Sequence, residues 1–176
     1  MDLLKEIVRV DGIHTEGATI LREAVRGIVI DKTNLFMIHS SKNGDYKFPG
    51  GGITGKETHH ETLKREIREE CGALVTEIGP PFGKVIEYDL PLERDFDVFK
   101  MTSYYYYCQI EHALFTQKLE QYEYDLGFHH VWVDIGTAIQ NNKDIASSNL
   151  TEKIRWLPRE TFVLEQIQKR IFYARD

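Results

Sequence analysis

Cysteine is nearly absent from this chain: Cys71 and Cys108 are the only two in 176 residues. That excludes a disulfide-stapled scaffold and leaves two reduced, part-buried thiols as the expectation. Long apolar runs are missing as well. None approaches the roughly 18 residues of a membrane-spanning helix. The opening Met1-Asp2-Leu3-Leu4-Lys5-Glu6 is charged too early for a secretory leader. These absences lead to the expectation of a cytoplasmic protein, in which the sequon Asn149-Leu150-Thr151 has no consequence. Positive charge is in deficit: 22 Lys and Arg face 28 Asp and Glu, for a net charge of −6. Such a balance disfavours general binding to a nucleic-acid backbone. It leaves room for a nucleotide substrate, because a metal can screen phosphates locally.

No linker, repeat or low-complexity tract divides the chain, and its length suits a single domain over residues 1–176. Residues 24–30 and 35–39 read as strands around a turn at Asp31-Lys32-Thr33-Asn34. Residues 83–90 and 98–110 read as long strands joined by Pro91 to Asp95, and 130–133 as a further strand. Asp134 is placed to cap a short helix through Asn141. A last helix, over 158–173, carries Val163, Leu164, Ile167 and Ile171 on one face. Strands mixed with a few helices fit an α/β (α+β) fold with a sheet covered on both sides. The arm 1–17, with Leu3, Leu4, Ile7, Val8 and Val10, either adds a strand or packs on a partner subunit.

The informative stretch is GGITGKETHHETLKREIREECGA at 51–73. Thr58 and Glu61 form a capping box, and Gly72 stands where a glycine ends a helix, so the spacing predicts a helix from about His59 to Cys71. At about 100° per residue, Glu66, Glu69 and Glu70 fall on one stripe; Leu63, Ile67 and Cys71 fall on a neighbouring one that faces the core. Three carboxylates on a stripe repel one another, and a hard divalent cation removes that cost. Oxygen-only ligands point to Mg²⁺ or Mn²⁺ rather than zinc. A bland alternative is a solvated helix whose glutamates pair with Lys64, Arg65 and Arg68.

The full spacing decides between them. Gly51, Glu57, Arg65-Glu66-Ile67, Glu69-Glu70 and Gly72-Ala73 resemble the Nudix box, with Ala73 where a larger aliphatic residue is usual. Phe48-Pro49-Gly50-Gly51 leads into it in the family's usual way. The resemblance covers roughly 18–140 and implies a mixed sheet in an α/β/α sandwich. It implies Glu66, Glu69 and Glu70 as metal ligands, and an ion pair between Glu57 and Arg65 that braces the loop on the helix. It also implies a general base from a loop after the box. Glu123 is favoured, Glu120 is second, and Glu69 remains the alternative inside the box.

Other features need weighing. Gly50 followed by Gly55-Lys56 nearly spells a P-loop, yet Glu57 stands where that motif needs Ser or Thr. Arg22, Arg26 and Lys47 are candidates for pairing with a diphosphate, with Arg26 and Lys47 preferred. Phe48, Gly51 and Gly52 complete the expected substrate contacts. One pair from Tyr104-Tyr105-Tyr106-Tyr107 could stack on a base, although tyrosine also simply favours strands. His59-His60 and His129-His130 point apart as neighbours and make no two-ligand site.

The reading is therefore a Mg²⁺- or Mn²⁺-dependent hydrolase. It would cut the pyrophosphate linkage of a nucleoside diphosphate joined to X: an ADP-ribose-like compound, a dinucleoside polyphosphate or a nucleoside triphosphate. The rival is the same fold sensing a nucleotide without turnover. If the chain assembles, a homodimer is the commonest form.

Overall fold

The computed structural model describes residues 1–111, 115–148 and 154–173. The sequon at 149–151 lies outside them. In chain order the elements are β1 (Leu3–Val8), β2 (Thr19–Ile28), β3 (Ile30–Asp31), β4 (Asn34–Ser40), β5 (Tyr46–Lys47) and α1 (His59–Cys71). Then come β6 (Leu74–Asp89), β7 (Val98–Glu111), α2 (Gln121–Asp125), β8 (Phe128–Asp134), α3 (Ile135–Ala146) and α4 (Leu157–Tyr173). One sheet has the order β1-β6-β7-β2 and is mixed: β1 runs parallel to β6, β7 parallel to β2, and β6 antiparallel to β7. The second is antiparallel, with β4 flanked by β3, β5 and β8.

Alternation along β2 and β4 builds two apolar layers. Val25 of β2 and Val29 just after it, with Phe36 and Ile38 of β4, pack towards Leu63, Ile67 and Cys71 of α1. Ile28, Leu35 and Met37 point the other way, towards Ile135 and Ile139 of α3 and Val163, Leu164 and Ile167 of α4. Strands buried on both faces read as continuous apolar runs, which is why AVRGIVI and LFMI show no polar alternation. The result is a sheet layer between α1 on one side and α3 with α4 on the other.

Four elements depart from the sequence expectation by more than two residues. β2 starts at Thr19 rather than 24. β6 starts at Leu74 rather than 83, because the strand signal is interrupted at Gly79-Pro80-Pro81, where the ladder with β7 slips register. Prolines without a donor are tolerated at such bulges. α3 runs on to Ala146, capped as expected by Asp134, which accepts from the Thr137 N–H at 3.1 Å. The segment around Glu120 and Glu123 is a short helix, α2, rather than a loop. β1 hydrogen-bonds along β6, from Leu3 opposite Lys84 to Val8 opposite Tyr88, as the edge strand of its sheet.

α1 holds its place through close packing against β2. A Cβ on Gly27 would lie 2.7 Å from Ile67 Cδ1, so any side chain there would displace the tip of Ile67. Ile67 is 0% exposed. Ile67→Ala should therefore lower the unfolding free energy by about 2–5 kcal/mol, read from a urea titration at unchanged slope.

Candidate active site

The glycine segment is stitched to β2. Gly27 N–H donates to Pro49 O at 2.9 Å, Val25 N–H to Gly51 O at 3.0 Å, and Ile53 N–H to Glu23 O at 3.0 Å. At Gly50, φ is +129° and a Cβ would lie 2.2 Å from Val25 O, so only glycine fits. At Gly51 a Cβ would lie 2.3 Å from the Glu66 carboxyl carbon. The missing side chain there is what lets a carboxylate of α1 lie against the loop backbone. The helix itself starts at the Thr58–Glu61 capping box and ends at Gly72, with φ +65°.

Arg65 is the hub of the box. Its Nε and Nη2 donate to the two oxygens of Glu57 at 2.7 and 2.8 Å. Its Nη1 donates to Glu66 Oε1 at 2.7 Å and to Glu69 Oε2 at 3.3 Å, and Nη2 also reaches Gly52 O at 3.2 Å. These bonds hold the Glu57 carboxyl well below the usual carboxylate range. Burial pushes Glu66 the other way, upward, against the pull of Arg65. Glu70 faces a different cation. Its Oε1 accepts from Lys47 Nζ at 2.7 Å and its Oε2 from Gly50 N–H at 2.7 Å.

All three stripe glutamates line one cavity of about 410 Å³, together with Gly50, Gly51 and Gly52. Arg26, Lys47, Arg65, Glu120 and Glu123 line it too. Glu123 is buried on α2, accepting from Glu120 N–H at 2.9 Å and from the Tyr122 hydroxyl at 3.0 Å. Burial first, and then the charge of Glu70, raises its pKa. Arg26 donates through Nη1 to Gly50 O, while its Nε is buried without a partner. Lys47 is already engaged by Glu70 and lies 4.6 Å from the Phe128 ring centre.

Two expectations need correction. Phe48 does not face the cavity. Its side chain is 0% exposed in the core, edge-on to Tyr105, because Phe48 and Lys47 alternate across β5 and its exit. The tyrosine run provides no platform either. Tyr105 and Tyr107 pack with the core on the α4 side; Tyr104 bonds Glu23 at 2.5 Å, and Tyr106 bonds His59 at 2.8 Å. The aromatic lining comes instead from Phe99, Tyr122, Phe128 and Trp156.

The sequence reading also missed the cavity's far end. Register places Arg22, Met101 and Glu87 in one row across the sheet and Phe99 beside Asp89 in the next, and all five line the cavity. Arg9, after β1, and Arg159, on α4, close that end. One signal was available: Val85, Glu87 and Asp89 share a strand face, so two acids continue a line of core positions.

Glu66, Glu69 and Glu70 suit a hard cation in their chemistry: three carboxylates in one cavity, with no sulfur or imidazole among them. Among the described residues no group of three or more His, Cys, Asp or Glu side chains is arranged to hold an ion as it stands. Arg65 and Lys47 occupy the carboxylates instead, so a cation there would have to displace N–H donors already in place.

A family model described as the NUDIX domain matches residues 20–157. The chain belongs to the Nudix family. An RNA pyrophosphohydrolase of Helicobacter pylori (strain G27) is 37% identical over 73 residues, covering 40% of this chain and 47% of that protein. That of strain P12 matches to the same extent, so the chain spans about half the length of the curated relatives it matches. A MutT structure from work on Aliivibrio salmonicida and Vibrio cholerae aligns over 69% of this Nudix chain and 86% of the other, with 20% identity and a TM-score of 0.47. A Bacillus halodurans MutT aligns over 68% and 72%, with 19% identity and a TM-score of 0.47.

The Lys47–Glu70 pair carries a stability consequence. Its side chains are 10% and 2% exposed, so removing one partner strands a charge away from water. Lys47→Met should lower stability by about 3–5 kcal/mol, and adding Glu70→Met should restore much of it, as measured in a denaturant double-mutant cycle.

Proposed function

We propose that this Nudix protein is a Mg²⁺- or Mn²⁺-dependent pyrophosphohydrolase that cuts the diphosphate linkage of a nucleoside diphosphate joined to X. ADP-ribose-like compounds, dinucleoside polyphosphates and nucleoside triphosphates are the substrate classes. One observation carries the reading: the complete box is folded so that Glu66, Glu69 and Glu70 line a single cavity with the glycine backbone and with Arg22, Arg26 and Lys47. The RNA pyrophosphohydrolases of Helicobacter pylori support the same class of bond.

Glu66, Glu69 and Glu70 would hold the cation. When bound, it supplies charge neutralisation on the phosphates and makes water more acidic. The chain's own residues do the rest. Gly50 to Gly52 let phosphate oxygens approach the backbone. Arg26, with Arg22 on the same strand face, neutralises a diphosphate lying across β2, and Lys47 adds charge from beside Glu70. Glu123, in the same cavity lining, takes the proton of the attacking water. Glu69 is the alternative; at 39% exposed, its side chain is the most open of the three stripe glutamates. Arg65 keeps Glu57, Glu66 and Glu69 at fixed spacing and offsets their repulsion. The products are a nucleoside monophosphate and phospho-X, or a monophosphate and pyrophosphate from a triphosphate.

The test is phosphate release through a coupled phosphatase, with Mg²⁺, with Mn²⁺ and with EDTA. The panel holds nucleoside diphosphate derivatives, nucleoside triphosphates and an RNA with a 5′-terminal triphosphate. Turnover should need the metal and concentrate on one class. Glu69→Gln should reduce it by at least about a hundredfold with the fold intact, and Glu70→Gln by as much in the protein that stays folded, since it also leaves Lys47 unpaired. Full activity in either variant sinks the assignment of that glutamate. Nucleotide binding with no turnover anywhere on the panel favours the sensing module.

A further inference from the structure

Glu160 sits on α4, beyond the family-matched segment that ends at 157, and is 0% exposed. A buried carboxylate so far from the box needs a reason. Its Oε2 accepts from Phe48 N–H at 2.8 Å. Its Oε1 accepts from Nε and Nη2 of Arg159 at 2.9 and 2.8 Å. The other end of Arg159 donates to Glu87, which also accepts from Arg9. A chain of charges thus runs from the N-terminal arm, across β6 and α4, and ends on a backbone N–H. Phe48 is two residues before Gly50, whose own N–H holds Glu70 at 2.7 Å, and directly after Lys47, whose Nζ holds the other oxygen of Glu70 at 2.7 Å.

We infer that Glu160 is a positioning residue: by fixing Phe48 N–H it sets where Gly50 and Lys47 present their donors, and so where Glu70 points its carboxylate. This rests on the reading of Glu70 as a cation ligand. Groups behind the direct ligands usually set metal affinity by orienting them. Two hydrogen bonds separate Glu160 from Glu70, one at Phe48 and one at Gly50, joined by a short stretch of backbone pinned to β2. Little slack exists in that stretch. Gly27 N–H holds Pro49 O, and Gly50 has no room for a side chain beside Val25. A shift at Phe48 is therefore passed on rather than absorbed.

Two conservative variants separate positioning from plain ion pairing. Glu160→Asp keeps the charge beside Arg159 but withdraws the carboxylate from Phe48 N–H by one methylene. Glu160→Gln keeps the reach and one acceptor oxygen for Phe48 N–H but removes the charge and gives up the bonds from Arg159, which keeps Glu87 as its partner. The measurements are Mn²⁺ affinity by electron paramagnetic resonance, kcat and KM on the substrate found above, and hydrogen exchange of residues 46–52 in metal-free protein. Positioning predicts that Glu160→Asp weakens Mn²⁺ binding and lowers kcat by about ten- to a hundredfold with KM little changed. Exchange at 46–52 should rise, while Glu160→Gln stays close to the parent in all three. The reverse order, in which Gln is impaired and Asp spared, overturns the inference and leaves an ion pair. So does equal behaviour of the two variants. If the parent binds no Mn²⁺, the reading of Glu70 as a ligand fails separately, and the exchange comparison still decides whether Glu160 fixes the loop.

Discussion

The turn of α1 puts Glu66, Glu69 and Glu70 on one stripe facing one cavity, where their charges repel one another. Fixed donors on either side of the stripe make the arrangement hold. Arg65 spans from Glu57 in the loop to Glu66 and Glu69 on the helix. Lys47 and Gly50 N–H take Glu70 from the strand side. Each clamp needs the glycine segment at its present distance: Glu66 lies where a Gly51 side chain would stand, and Gly50 lies where only glycine avoids Val25. The spacing of box residues in sequence is thus a consequence of loop, strand and helix meeting around shared carboxylates. On the proposed reading, a divalent cation would take over carboxylate oxygens that Arg65 and Lys47 now hold.

Much of this was readable beforehand because it is local. The cap at Thr58, the stop at Gly72 and the stripe of glutamates are decided within one helix. The strand segments read at 24–30 and 35–39 announced themselves because most of their side chains are buried on both faces. What escaped depends on pairing between distant segments. Nothing near Phe99 or Met101 says that these side chains share a face with Glu87 and Arg22; register between β6, β7 and β2 does. Phe48 was misjudged for the same reason. Its neighbours in the motif touch the cavity, and the period-2 alternation of a strand turns Phe48 itself inward. Glu123 was placed in the cavity from family habit, but its short helix was not seen, since a five-residue element has no periodicity to detect.

The two ends of the cavity therefore have different origins. The end with Glu66, Glu69 and Glu70 comes from the box and carries chemistry common to the family. The far end draws Arg9 from before the matched segment and Arg159 from after it, with Glu87 and Asp89 between them. Family likeness at the first end says nothing about what the second end accepts. This is the physical reason why the box names a linkage and leaves X open: X would lie against residues that the box does not contain.

The charge chain Arg9–Glu87–Arg159–Glu160 joins these two ends. Burying the three charges of Glu87, Arg159 and Glu160 is expensive unless each is paired, and here each is bonded to the next, with the half-buried Arg9 completing the chain. Packed apolar residues would serve stability equally well in the same volume. The ionic version adds directionality. Carboxylate and guanidinium groups fix their partners in angle as well as distance, so whatever contacts Arg9 or Arg159 at the far end acts on a network whose last member is the N–H of Phe48. On the proposed reading, a substrate spanning the cavity would touch the box twice, directly at its glutamates and indirectly through the strand that aims Glu70.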